Sequence, residues 1–180
     1  MDGPDQGAGS SAISRLLRME KPLICAVNGP AAGAGLGLAL MGDLVIMADT
    51  ATLTTAYAKI GLSPDGGVSW LLPRLVGLRV AQELLVSSRI VSAEEAREIG
   101  MITEVVPAAE LKERVREAAI ALRDASPRAL GAVRALLLSS FSTTLETQLE
   151  LEVRAISPLT ISPDAKRLSA NFAAKRTRKS

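Results

Sequence analysis

The stretch Pro22-Leu-Ile-Cys-Ala-Val-Asn28, running into Gly29-Pro-Ala-Ala-Gly-Ala-Gly35, decides how this chain is read. An apolar strand empties into glycine and alanine and then opens a helix-like block over residues 36–42. Backbone N–H groups at such a helix mouth lack intrahelical acceptors and face whatever lies in front of them. That makes the junction a place for developing negative charge, although small residues there also serve close packing of strand and helix. Two nucleotide readings fail on spacing. Gly33-Ala-Gly35 starts the dinucleotide pattern, but its third glycine position is Leu38 and no acidic residue follows a second strand at the expected distance. The G-K-[ST] ending of a phosphate-binding loop is absent as well.

Around this junction the chain is rich in small apolar residues. Its 180 residues suit one domain-sized core, and apolar residues make up 48% while aromatic residues make up only 2%, so Ala, Leu, Val and Ile must fill the interior. A formal charge of +2, with no aromatic platforms, gives little basis for nucleic-acid binding. The basic run Lys175-Arg-Thr-Arg-Lys179 reads as a solvated tail, with a phosphate contact as the alternative. One cysteine, Cys25, sits inside the apolar strand; it permits no intramolecular disulfide and suggests a reducing compartment, hence a cytoplasmic location. The chain contains no histidine, which removes Ser-His and Cys-His nucleophile systems and His-based metal sites. No metal is expected. Acid–base work falls to a carboxylate, lysine or tyrosine. No apolar run reaches the length of a membrane span, so no membrane partner is expected.

In chain order, residues 1–11 are Gly/Ser/Asp/Pro-rich and predict a disordered leader. Ile13, Leu16 and Leu17 predict a short amphipathic helix over 12–20. Nearly continuous apolar runs predict strands at 23–27, 44–48 and 52–54, buried on both faces. After Ser63-Pro-Asp-Gly-Gly67, helices are predicted at 68–75 and 79–87 on either side of Gly77. Ser92-Ala-Glu-Glu95 is a capping box that starts a helix ending at Gly100, and a last strand is predicted within 101–106. Helices follow at 111–126, 128–139, 145–155 and 166–175. Pro127, Pro158 and Pro163 are read as interruptions.

The runs KPLICAVNGPAAGAGLGLALMGDLVIMAD, TLTTAYAKIGLSPDGGVSWLLPRLVG and RIVSAEEAREIGMITEVVP, in that order, resemble the enoyl-CoA hydratase/isomerase (crotonase) superfamily. They resemble most its isomerase branch, of the phenylacetate-pathway type. The resemblance covers residues 13–176. It implies an α/β fold, a crotonase-like spiral of β-β-α units missing its first strands. The expected layout is a leader at 1–11, a partial β-β-α core at 12–107 and a helical region at 108–180 that serves trimer assembly. The implied partner is an acyl-CoA thioester, with coenzyme A part of the substrate and no separate cofactor, and the implied assembly is a homotrimer or hexamer.

The resemblance also implies roles. The Ala34 amide would donate to the thioester oxygen, and Asp65 would be the catalytic carboxylate that moves a proton between two carbons. Ala32, Gly33, Gly35, Tyr57, Leu62, Pro64 and Gly66 would contact the substrate. Asp65 is expected in an apolar pocket of Tyr57, Leu62, Pro64 and Trp70 that desolvates its carboxylate. As a bare tripeptide, Pro64-Asp65-Gly66 is also an ordinary turn. Hydratases of the family use two glutamates, one for the water and one for the carbon. Gly37 and Tyr57 stand at those positions here, which disfavours hydration. The family's segment before Lys21, which carries the first strands, the loop gripping the CoA adenine and a second oxyanion N–H, has no counterpart in residues 1–11. Three readings follow: an enoyl-CoA isomerase, a catalytically silent truncated subunit, and a hydratase or hydrolase using a displaced carboxylate such as Glu83.

Overall fold

The computed structural model describes residues 6–177. Helix α1 (Gln6–Leu17) leads to β1 (Ile24–Val27), β2 (Ala31–Ala32), α2 (Ala34–Leu40), β3 (Leu44–Ala48) and β4 (Thr52–Thr54). A 3-10 turn (Ala58–Ile60) precedes α3 (Val68–Ser87), β5 (Val91–Ser92), α4 (Ala93–Glu98) and β6 (Glu104–Val106). Four helices complete the order: α5 (Leu111–Asp124), α6 (Pro127–Ser139), α7 (Leu145–Thr160) and α8 (Pro163–Thr177). The chain divides into two compact units, one holding residues up to Leu17 and Leu23–Ala118, the other Arg18–Pro22 and Ala119–Ser180.

In the first unit, β1, β3 and β6 form a parallel sheet in the order β1-β3-β6, with Ile24 opposite Leu44 and Ile46 opposite Glu104. A second small sheet runs β2-β4-β5, with β2 parallel and β5 antiparallel to β4. Parallel strands need covering on both faces, which is why β3 reads as an unbroken apolar run and buries Val45, Ile46, Met47 and Ala48. Leu36, Leu40, Val68, Leu72, Leu84 and Ala96 close over these sheets, and Ile13, Leu16 and Leu17 of α1 pack against the same core. Asp43 holds the strand start: its carboxylate accepts from the Leu23 N–H at 2.6 Å, while its own N–H donates to the Leu23 carbonyl at 2.8 Å.

Sequence signals set several boundaries. Gly77 breaks α3 at φ 78°, ψ 157°, a conformation closed to residues with a β-carbon, so two helical segments lie on either side of it, as expected. Ser92 caps α4, its hydroxyl accepting from the Glu95 N–H at 3.3 Å. Other expectations need correction. Residues 6–11, read as part of a disordered leader, belong to α1; residues 1–5 lie outside the described residues. Pro158 does not interrupt α7. It sits in the last turn, where only two helical residues follow it, and the hydroxyls of Ser157 and Thr160 donate to the Val153 and Ser157 carbonyls at 2.6 and 2.7 Å.

In the second unit, α6 and α7 are stitched by Gln148, whose amide donates to the Leu136 carbonyl at 3.0 Å and accepts from the hydroxyls of Ser139 and Thr143. Arg134 is buried and donates to the Met19 carbonyl at 2.8 Å. Ser126 caps α6 and donates to Asp164 of α8 at 3.0 Å. Among the described residues, no helix is long and apolar enough to cross a membrane.

Candidate active site

The candidate site lies in the first unit, where the mouth of α2 meets the turn at residues 63–67. Gly33 caps α2 with φ 53° and ψ −123°; its N–H donates to the Thr54 carbonyl at 3.4 Å, and its carbonyl accepts from the Gly37 N–H at 3.1 Å. Ala34 is the first residue of the helix. Its N–H has no intrahelical acceptor, and among the described residues no other group accepts from it. Ala32, Ala34 and Gly35 are exposed and Gly33 is half-buried, so the mouth is open.

Two glycine contacts fasten the turn onto this mouth. A β-carbon on Gly37 would come within 2.5 Å of the Gly66 carbonyl oxygen, and one on Gly66 would lie 3.3 Å from the Ala34 Cα. The backbone just after Asp65 is thereby set beside Ala34. The Asp65 carbonyl accepts from the Val68 N–H at 3.0 Å and so anchors the start of α3.

Tyr57 comes in from the other side. Thr55 is buried and its hydroxyl donates to the Leu84 carbonyl at 2.9 Å; Ala56 then takes a left-handed conformation, φ 59°, and turns the chain into Tyr57. The Tyr57 carbonyl accepts from the N–H groups of Ile60 and Leu62, both at 3.1 Å. The ring packs over Gly33, 3.8 Å from where a β-carbon there would stand. The hydroxyl donates to Asp65 Oδ1 at 2.7 Å and lies 3.4 Å from the Asp65 carbonyl. Burial of the phenol, then its bond to the Asp65 carboxylate, pushes the Tyr57 pKa up from 10.0 to about 12.

The structure thus brings together Ala34, Gly33, Tyr57, Asp65 and Gly66. It does not build the expected apolar pocket. Asp65 is exposed, Leu62 is 61% exposed, and Trp70 lies at the surface with the Arg74 guanidinium stacked 3.9 Å over its ring. The reason is local: left-handed backbone at Gly61, Gly66 and Gly67 makes two tight turns that keep Leu62 off the core, and Trp70 finds its partner on its own helix. Pro64 is half-buried. Glu83 is engaged elsewhere. It pairs with Arg89 at 2.8 Å, and Arg89 also holds Glu95; the bond from Arg89 keeps the Glu83 carboxyl below its ordinary range.

Two features escaped the sequence reading. Gly37 was weighed only as the absence of a glutamate, whereas its hydrogen is a contact surface for the catalytic-side turn. Tyr57, expected to contact the substrate, also places its hydroxyl on Asp65, which only the fold shows. A usable signal was the pairing of glycines at 37 and 66, each one residue type away from a clash.

An open helix mouth, two small sheets and a following helical unit define an α/β protein. The chain matches the enoyl-CoA hydratase/isomerase family over residues 5–179. It is 44% identical over 140 residues to the 1,2-epoxyphenylacetyl-CoA isomerase of Escherichia coli K12, covering 78% of this chain and 53% of that protein. It is 40% identical over 146 residues to 4-chlorobenzoyl coenzyme A dehalogenase-1 of an Arthrobacter species, covering 81% and 53%. The crystal structure of an enoyl-CoA hydratase/isomerase from Cupriavidus metallidurans CH34 superimposes with a TM-score of 0.90 at 36% identity, over 94% of this chain and 64% of that one. The chain belongs to the enoyl-CoA hydratase/isomerase, or crotonase, family and has its fold. It spans about half the length of the curated relatives it matches.

Proposed function

We propose that this chain acts on an enoyl-CoA thioester and shifts its double bond. The Asp65 carboxylate takes a proton from the α-carbon; the C–H electrons move into the acyl system and the thioester oxygen gains the charge, which the Ala34 N–H stabilises. Asp65 then returns the same proton to the γ-carbon, so the double bond moves and nothing is oxidised or reduced. Preorganised main-chain donors of this kind contribute about 3–4 kcal/mol when one is removed elsewhere. Ala32, Gly33, Gly35, Tyr57, Leu62, Pro64 and Gly66 would line the acyl and thioester path, and coenzyme A enters as part of the substrate. The carrying observation is the juxtaposition of a free Ala34 N–H with the Asp65–Gly66 turn. Gly37 supports isomerisation over hydration. A glutamate there would have to displace the Gly66 carbonyl, and the two-carboxylate arrangement for adding water has no room.

The exposed apolar residues of α6 and α7 support assembly through the helical region, as a homotrimer or hexamer. They also favour a second reading, a subunit that keeps the fold and associates but turns over little, since the exposed Asp65 does not sit in a site that excludes water. Turnover of 3-hexenoyl-CoA by the purified chain and by Asp65→Asn separates them. The isomerase reading expects a loss of about 100- to 10,000-fold in kcat with binding retained; undiminished turnover in the variant refutes it, and absence of thioester binding by calorimetry leaves the subunit reading.

A further inference from the structure

The Asp65 carboxylate is exposed, and an exposed aspartate ordinarily samples several rotamers. Here one oxygen is held. Tyr57 is buried, its backbone is anchored by two N–H donors from the following turn, and its ring is seated on Gly33, so the hydroxyl has a fixed origin. Its acceptor is Asp65 Oδ1 at 2.7 Å. Among the described residues Asp65 Oδ2 accepts no hydrogen bond. We infer that Tyr57 is a positioning residue: it ties Oδ1 so that Oδ2 is the oxygen that takes and returns the substrate proton beside Ala34.

The chemistry explains why a hydroxyl is needed where a phenyl ring would fill the same space. A buried phenol O–H needs an acceptor, and a carboxylate is the strongest available. In return the carboxylate loses rotational freedom. Holding a reacting group in its productive geometry removes entropy that the transition state would otherwise have to remove. The backbone supports the same purpose. Ala56, directly before Tyr57, adopts a left-handed conformation at φ 59°, unfavourable for a residue with a β-carbon, and the ring that follows it packs over Gly33. Because Tyr57 donates a hydrogen bond to Asp65 Oδ1 and keeps its proton, the catalytic proton cycles only between Oδ2 and carbon.

This inference rests on the isomerase reading above, and its test separates the two. Tyr57 is the single tyrosine of the chain, so phenolate absorbance at 295 nm reports it alone. Measured by pH jump, before the chain can unfold, the wild-type phenol should ionise near pH 12, and Asp65→Asn should lower that midpoint because the charged acceptor is gone. A wild-type midpoint near 10, or one that Asp65→Asn leaves in place, overturns the lock. With 3-hexenoyl-CoA, Tyr57→Phe should lower kcat about tenfold and leave KM within about twofold, which is the mark of a group acting on the transition state. An unchanged kcat, or a loss that falls in KM alone, overturns the positioning role even if Asp65→Asn is inactive. Full turnover in Asp65→Asn, or none in the wild type, instead brings down the isomerase reading and the catalytic half of this inference with it, while the titration still decides whether the lock exists. Should Tyr57→Phe fold poorly by circular dichroism, the titration of Asp65→Asn remains decisive.

Discussion

The two units of this chain are held by different chemistry. In the first, the buried residues are overwhelmingly apolar, and Leu36, Ile46, Met47, Leu53, Leu72 and Leu84 are almost wholly removed from water. In the second, the buried side chains among the described residues are Ser126, Arg134 and Ser162, and no residue of α7 is buried. Both units contain helices with one apolar face. The difference is whether anything in the chain covers that face. On α7, Leu145, Leu149, Val153 and Ile156 recur at spacings of four, four and three, which places them on one side, and all are more than half exposed. The lesson is that an amphipathic pattern reports a face to be covered and does not say by what.

Four measurements sharpen or break this contrast. The largest effect is expected at Leu36, which packs in the core behind the helix mouth: Leu36→Ala should cost about 2–5 kcal/mol in denaturant unfolding, through lost burial and an unfilled cavity. A loss under about 1 kcal/mol would mean the first unit is not organised around α2. Alkaline pH should come next. Tyr57 is raised from 10.0 to about 12 in the folded chain, so between those values the unfolded state releases the proton while the folded state keeps it. The unfolded state then binds fewer protons, and stability falls as pH rises. The contribution is complete below about pH 10 and gone above about pH 12, on the order of 2–3 kcal/mol. Tyr57→Phe should lack that part of the slope, and an identical slope in wild type and variant would contradict it.

A smaller effect is expected at the glycine contact. Gly37→Ala places a β-carbon against the Gly66 carbonyl, and relief by moving backbone should cost about 1–3 kcal/mol. Gly131→Ala meets the Glu20 carbonyl at the same 2.5 Å in the second unit and should cost a similar amount. Only the first should also lower turnover, because only the first moves the turn that carries Asp65; equal activity in both variants would disconnect that contact from the site. The smallest effect is expected on the exposed stripe. Leu149→Ala should change the stability of the single chain by no more than roughly 0.5 kcal/mol, since the side chain is already in water. Sedimentation velocity on the same variant should show weaker self-association if α7 is the covered face of an oligomer; a large loss of stability without any change in association would show that the stripe is covered within the chain.

Much of the fold was legible because it is written in short-range signals. The unbroken apolar run of β3, the helix break at Gly77 and the Ser92 cap each depend on residues within a few positions of one another. The strands β2 and β5 were not legible, being two residues long and defined only by pairing to β4. Nor was the run of α1 back to Gln6, through a segment rich in glycine and serine. For the site, the motif around Asp65 and the helix mouth at Ala34 were readable, but the exposure of Asp65 was not, since Leu62 and Trp70 look like core residues by type. Glycine turns, which composition does not weigh, send them outward.

By itself, then, the sequence determined the longer strands and most of the helices, the absence of histidine chemistry, and the family pattern of the helix mouth and the Pro64-Asp65-Gly66 turn. Only the tertiary structure decided that Gly37 seats against Gly66, that the Tyr57 hydroxyl holds one oxygen of Asp65, and that α7 keeps its apolar face in water. The reason is one of range. Propensities, caps and turns act over a few bonds and can be read in order, whereas the contacts of Tyr57 with Asp65, eight positions on, and of Gly37 with Gly66 depend on how the intervening chain has packed.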